Sequence, residues 1–150
     1  MHVYCFVSTN FWDEGYPSGG NYWSNYTGVD LYSGPYQNET GCDGVGDVSY
    51  VIDANNRDNY PLMGPSNTFE AQHWDGLTYN FDVVSNSTIL DFELFESLIP
   101  EIPSKISLNV SGPDNTRGFC RITIPNTIVQ ELWQGNYTVL LNSEPWPFTN

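Results

Sequence analysis

Two-residue alternation runs through the second half of the chain and is nearly lost in the first. After Gly64, β-prone runs of strand length recur at 69–73, 77–84, 88–95, 105–110, 118–124 and 137–141. Ile106, Leu108 and Val110 share one face, and Phe119, Arg121 and Thr123 alternate with Cys120, Ile122 and Ile124. Turn residues separate the runs: Trp74-Asp75-Gly76, Ser85-Asn86-Ser87, the stretch 100–103 and the stretch 111–116. Short strands at this spacing predict an antiparallel, immunoglobulin-like β-sandwich over 65–150. Residues 126–133 predict one short helical segment, with Asn126 as N-cap and Gly135 just past its end. Glu144-Pro145-Trp146-Pro147-Phe148 follows the last run. The sandwich is therefore expected to be incomplete, with an exposed edge near 137–141.

The first half reads differently. Residues 3–9 (VYCFVST) form one apolar run that breaks at Asn10. From Trp12 to Met63, glycine and proline punctuate the chain every few positions, with Tyr and Trp between them. This predicts a loop block with short strands near 30–32 and 48–52, ordered by ring stacking and hydroxyl hydrogen bonds. Pro61 and Pro65 flank a boundary, so the expected division is 1–64 and 65–150, both mainly β.

Charge narrows the partners. Only 15% of residues are charged, but 18 are acidic and 4 basic, for a net −14. Up to Met63 there are 8 acids and 1 base, and from Gly64 onward 10 acids and 3 bases, so both halves carry −7. Such a surface disfavours nucleic acid and anionic membranes. Divalent cations or neutral sugars fit better, and solubility or salt adaptation accounts for the acidity equally well. No apolar stretch is long enough to span a membrane. The opening MHVYCFVSTN has neither the basic region nor the apolar length of a signal peptide, so an extracellular role implies a lost native N-terminus. Five N-x-[ST] sites (Asn25, Asn38, Asn86, Asn109 and Asn136), together with scarce lysine, lean towards an extracellular or cell-envelope glycoprotein. Cys5, Cys42 and Cys120 allow one bridge and one thiol, or three unpaired cysteines; if a pair forms, Cys5–Cys42 is favoured.

Candidate chemistry is sparse. Asp43-Gly44-Val45-Gly46-Asp47 resembles half of a calcium loop, with Asp53, Asp58, Asn56 or backbone carbonyls as the candidate further oxygen donors. Glu39 and Gly41 leave that loop incomplete, and the competing reading is an Asx-turn in which Asp43 and Asp47 accept backbone N–H groups. Copper is not expected, because His2, His73, Met1 and Met63 form no local cluster. His73 is expected at the surface of a strand end. No GxSxG, HExxH or Ser/His/Asp arrangement occurs, and two histidines leave little general-base capacity, so no enzymatic activity is expected. Trp12, Tyr16, Tyr22 and Trp23, followed by Tyr26, Tyr32 and Tyr36, are either a sugar-stacking platform or the packing that holds the loops together.

Three segments carry a resemblance: Trp12 to Trp23 (WDEGYPSGGNYW), Asp43 to Asp47 (DGVGD) and Asp58 to Leu62 (DNYPL). Together they resemble a block in archaeal surface proteins of the NosD-like, right-handed parallel β-helix repeat type. The resemblance implies that the block closes the end of a β-helix whose last coil is 2–10. The second half resembles a β-sandwich module that trails the helix, on Asn109-Val110-Ser111-Gly112-Pro113-Asp114 and on Gly118 to Pro125 (GFCRITIP). Asn25 stands where the family commonly has Asp, and Cys42 where it has a small polar residue. The resemblance implies an extracellular or envelope-attached protein with carbohydrate-associated architecture and no assigned reaction for this module.

The expected function is thus a non-catalytic structural and interaction module of a larger β-helix surface protein, with calcium as its candidate ligand. The alternative is a carbohydrate-binding accessory module of a polysaccharide-processing enzyme. A third possibility is self-association, residues 3–8 of one copy adding to the edge near 137–141 of another.

Overall fold

The structure is a computed structural model that describes residues 8–148. The chain is mainly β, with small antiparallel sheets and one short helix, and divides at Pro65–Ser66 into two compact units.

In the first unit, side chains do much of what strands do elsewhere. Tyr32–Ser33 (β1) pairs with Glu39–Thr40 (β2), and Tyr50–Val51 (β3) with Arg57–Asp58 (β4). These strands are shorter than the runs 30–32 and 48–52 in the sequence. One reason is that the Asp47 carboxylate accepts the N–H groups of Leu31 (3.0 Å) and Tyr32 (3.1 Å), so no neighbouring strand is needed there. The three motif segments meet around Leu62, which is bridged to Tyr22 on one side and to Val45 on the other. Gly20 N–H donates to the Tyr60 carbonyl, Leu62 N–H to Asn21, Gly46 N–H to Pro61 and Met63 N–H to Gly44, at 2.8 to 3.0 Å. Val45, Pro61 and Leu62 are the buried apolar residues of this knot. Gly19, at φ +90°, lies so close to Leu62 that a Cβ would come within 2.7 Å of its Cδ2.

In the second unit, Ser66–Gln72 (β5), Thr78–Ser85 (β6) and Cys120–Thr123 (β9) form one antiparallel sheet in the order β5-β6-β9. Thr88–Phe95 (β7) and Lys105–Ser111 (β8) form a second, two-stranded sheet with a bulge between Ile89 and Asp91. Phe69 and Phe81 sit opposite each other in the β5–β6 register. Phe92 of β7 stacks on Phe69 at 4.9 Å and meets Phe81 at 5.2 Å, so three phenyl rings join the two sheets. Phe81, Val83, Val84 and Ile128 are buried.

Three details differ from the sequence reading. Asn126 is not the N-cap. The helix Asn126–Trp133 (α1) starts one residue earlier, because the Pro125 carbonyl already accepts Val129 N–H and Pro125 holds extended dihedrals. At its other end Gln134 takes the left-handed conformation, and Gly135 follows at φ +78°. The run 118–124 becomes strand only from Cys120, since Phe119 N–H donates to the Asn86 side chain and its carbonyl accepts the Ser85 hydroxyl. The run 137–141 pairs only over Leu140–Leu141 (β10), and its partner is Glu144–Pro145 (β11) in the same hairpin. Asn142 and Ser143 both have positive φ in the two-residue turn between them, as a type I′ turn requires.

Candidate functional site

The densest polar arrangement in the first unit centres on two buried side chains, Asp58 and Asn56. Asp58 is fully buried. Its Oδ2 accepts Asn21 N–H (2.7 Å) and the Trp23 indole N–H (2.8 Å), and its Oδ1 accepts Tyr60 N–H (3.1 Å). Gly20 passes so near that a Cβ there would overlap the Asp58 carboxylate. Asn56 Oδ1 accepts Asn10 N–H (2.8 Å) and the Trp12 indole N–H (3.1 Å). Asn56 Nδ2 donates to the Ser8 carbonyl and to Asp53. Bonds from a carboxylate to several N–H donors stabilise buried loops because each donor would otherwise be stranded away from water.

The four aspartates singled out for calcium are spent in this way. Asp43 Oδ1 caps Val45 N–H, and its Oδ2 accepts the Gln37 amide. Asp47 holds Leu31 and Tyr32, and Asp53 caps Asn55 N–H and binds Asn56. The Asn55 N–H and the Asn56 amide hold the Asp53 carboxyl below its ordinary range. Asp30, which the sequence reading passed over, lies beside Asp43 and Asp47 and accepts Asp43 and Gly44 N–H. Burial, with the like charges of Asp43 and Asp47 adding to it, pushes the Asp30 carboxyl above its ordinary range. Among the described residues no three His, Cys, Asp or Glu side chains are placed to hold a metal ion. N–H donors on each oxygen of Asp43 and Asp47 match the Asx-turn reading, whereas a calcium site needs oxygens turned towards the ion. A thermal melt is expected to keep its midpoint when EDTA is added. A drop of several degrees would reinstate a cation site.

Of the seven aromatic candidates, Trp12, Tyr16, Trp23 and Tyr26 are half-buried, whereas Tyr22, Tyr32 and Tyr36 are exposed, Tyr36 at 83%. Trp12 and Trp23 are half-buried, tilted together at 6.0 Å, and each gives its indole N–H to the polar centre. Trp23 also stacks on Tyr50 at 4.4 Å and 13°. Tyr16 packs on Tyr60 at 6.4 Å, while Tyr22 is exposed, at 47%. A shallow groove of about 390 Å³ opens elsewhere in this unit, lined by Asn25, Tyr26, Thr27, Val48, Ser49 and Tyr50 among others. Its two phenols are committed, Tyr26 to the Val48 carbonyl and Tyr50 to Asn25 Oδ1. Burial holds the Tyr26 phenol above its ordinary value, so it remains a neutral donor.

The sequons differ in availability. All five sequon asparagines are exposed. Asn86 is held by both ends of its amide, Nδ2 donating to the Arg117 carbonyl and Oδ1 accepting Phe119 N–H. Cys42 and Cys120 are exposed; the Cys5–Cys42 pairing and the strand 3–8 involve residues outside those described.

His73 corrects an expectation. It is not a surface residue but 2% exposed, with Nδ1 against Glu96 Oε1 and Nε2 at 3.0 Å from Glu131 Oε2. The signal was present in the sequence: Phe69, Ala71 and His73 fall on one face of a strand, the face that turns inward. Asn56 stands out in the sequence only as one candidate oxygen donor among turn-forming Asn and Asp residues that look alike, with nothing to mark it as a buried acceptor.

No family model, curated protein or solved structure matches the chain. The class defined by fold and site is a mainly-β chain with a polar, loop-locking centre in its first unit.

Proposed function

We propose that this chain is a non-catalytic structural and interaction module of an extracellular or cell-envelope protein, and that its first unit caps a parallel β-helix. The observation that carries the reading is the inward commitment of polar groups in the first unit. Asp58 and Asn56 gather backbone N–H groups and the indoles of Trp12 and Trp23 from two separate motif segments, 12–23 and 58–62, and from Asn10. A lid over an open β-helix end has to be rigid without a sheet of its own, because the end exposes unpaired strand edges and apolar core. A loop block locked by buried acceptors answers that need. In the second unit, two small sheets joined by Phe69, Phe81 and Phe92 support the finer reading of an immunoglobulin-like sandwich that displays surface for adhesion or lattice contacts.

The test appends the full chain to the open C-terminal end of a parallel β-helix whose own cap has been deleted. The fusion is expected to stay monodisperse where the uncapped helix aggregates. Aggregation to the same extent, with the appended chain folded, would remove the capping role. The groove beside Tyr26 and Tyr50 favours a second reading, binding of a neutral saccharide by an accessory module. Retardation of the chain in gels containing neutral polysaccharide would favour that reading.

A further inference from the structure

We propose that His73 is a proton-operated latch: as an imidazolium it fastens α1 and the end of β7 to the β5–β6 hairpin, and losing its ring proton frees α1 from the sheet. A neutral imidazole has one N–H, whereas the imidazolium has two. Both ring nitrogens of His73 face a carboxylate oxygen, Glu96 from the residue after β7 and Glu131 from α1. Glu96 also accepts the backbone N–H of Trp74 at 2.8 Å through its second oxygen, which fits an ionised carboxylate acting as acceptor on both sides. The ring is fully buried, although Glu131 itself is 41% exposed, so a ring with one proton would leave one nitrogen lone pair pressed against a carboxylate. That contact is repulsive, and the buried ring nitrogen has no water to take the place of the lost proton.

The surroundings point the same way. The charged and titratable groups facing the ring are Glu96, Glu131 and Asp75, with Tyr79 of β6 packed edge-on at 5.6 Å. Trp74 meets the ring edge-on at 5.2 Å. Burial works against the charge, but the Glu96 and Glu131 carboxylates outweigh it, with Asp75 adding, and hold the His73 pKa above its ordinary value. A histidine whose folded pKa is raised contributes stability that is complete below its unfolded value and disappears as pH climbs through the folded one. Burial, reinforced by Asp75, keeps the Tyr79 phenol above its own ordinary value, so Tyr79 stays neutral while His73 titrates.

The latch has a defined load. Glu131 lies on the same helix as Ile128, which is fully buried, and as Trp133, whose indole N–H donates to the Ser104 carbonyl at 2.9 Å. Release of α1 breaks that indole bond and uncovers the apolar seat of Ile128, so the second unit loosens on the alkaline side.

Nuclear magnetic resonance of the full chain tests this. A His2→Asn variant leaves His73 as the sole histidine. Its ring is expected to carry both protons at neutral pH and to lose one only on the alkaline side of the ordinary histidine value. The Trp133 indole N–H resonance is expected to move with the same midpoint. Glu131→Gln is expected to shift that midpoint towards lower pH. A ring that is neutral at pH values where ordinary histidines titrate would overturn the latch. So would a Trp133 indole resonance that stays put while the ring titrates. The titration without the glutamine change decides the matter by itself if Glu131→Gln does not fold.

Discussion

Replacing Asp58 with alanine is expected to unfold the first unit or to lower its stability by about 4 kcal/mol. Three donors converge on this carboxylate, from Asn21, Trp23 and Tyr60, and alanine leaves all of them without an acceptor. Each donor stranded in this way costs about 1–3 kcal/mol, and partial entry of water keeps the total below the simple sum. Two of the donors belong to the segment Trp12 to Trp23 and the third lies two residues past Asp58, so the loss would spread through the whole knot. Gly20→Ala attacks the same contact from the other side. Its new methyl group would overlap the Asp58 carboxylate, which is boxed in by its hydrogen bonds, at a cost of about 2 kcal/mol. The two changes share one contact, so the double variant is expected to lose clearly less than the sum of the singles. Denaturant melts followed by tryptophan fluorescence would read all three. An Asp58→Ala protein as stable as the parent would show that the knot is held by something else.

In the second unit, Phe81→Ala is expected to cost about 3–5 kcal/mol. Phe81 is fully buried, pairs across the ladder with Phe69, and touches Phe92 of the other sheet. Removing its ring opens a cavity where β6, the central strand, meets the two-stranded sheet. A small antiparallel assembly has few other large side chains with which to refill that space. The change should appear as a lowered midpoint in thermal unfolding followed by near-ultraviolet circular dichroism. Phe81→Leu, which restores much of the volume, should recover most of the loss. Equal stability of Phe81→Ala and the parent would mean that the two sheets are not held together through this cluster.

Local patterning carried a reader a long way in the second unit. The runs 88–95 and 105–110 became β7 and β8 almost residue for residue, and the turn Trp74-Asp75-Gly76 closes the β5–β6 hairpin. Period-two alternation and turn chemistry act over a few residues, so they are written in the chain itself. The short helix was legible for the same reason, and its cap was misplaced by one residue because a carbonyl and not a side chain starts it. The mainly-β class followed from these features alone.

The chemistry of the side chains did not follow. Asp43 and Asp47 read equally well as cation ligands or as backbone caps, and the difference lies in which groups reach their oxygens. Those partners are distant in the chain: Trp23 meets Asp58 across 35 residues, Asp13 meets Asn59 across 46, and His73 meets Glu131 across 58. A carboxylate has no period and no propensity that names its donor; only the folded path of the backbone brings the two together. Strand, turn and helix were therefore available from neighbours along the chain. The burial of Asp58, the inward turn of the indoles and the bracketing of His73 by two glutamates came from neighbours in space.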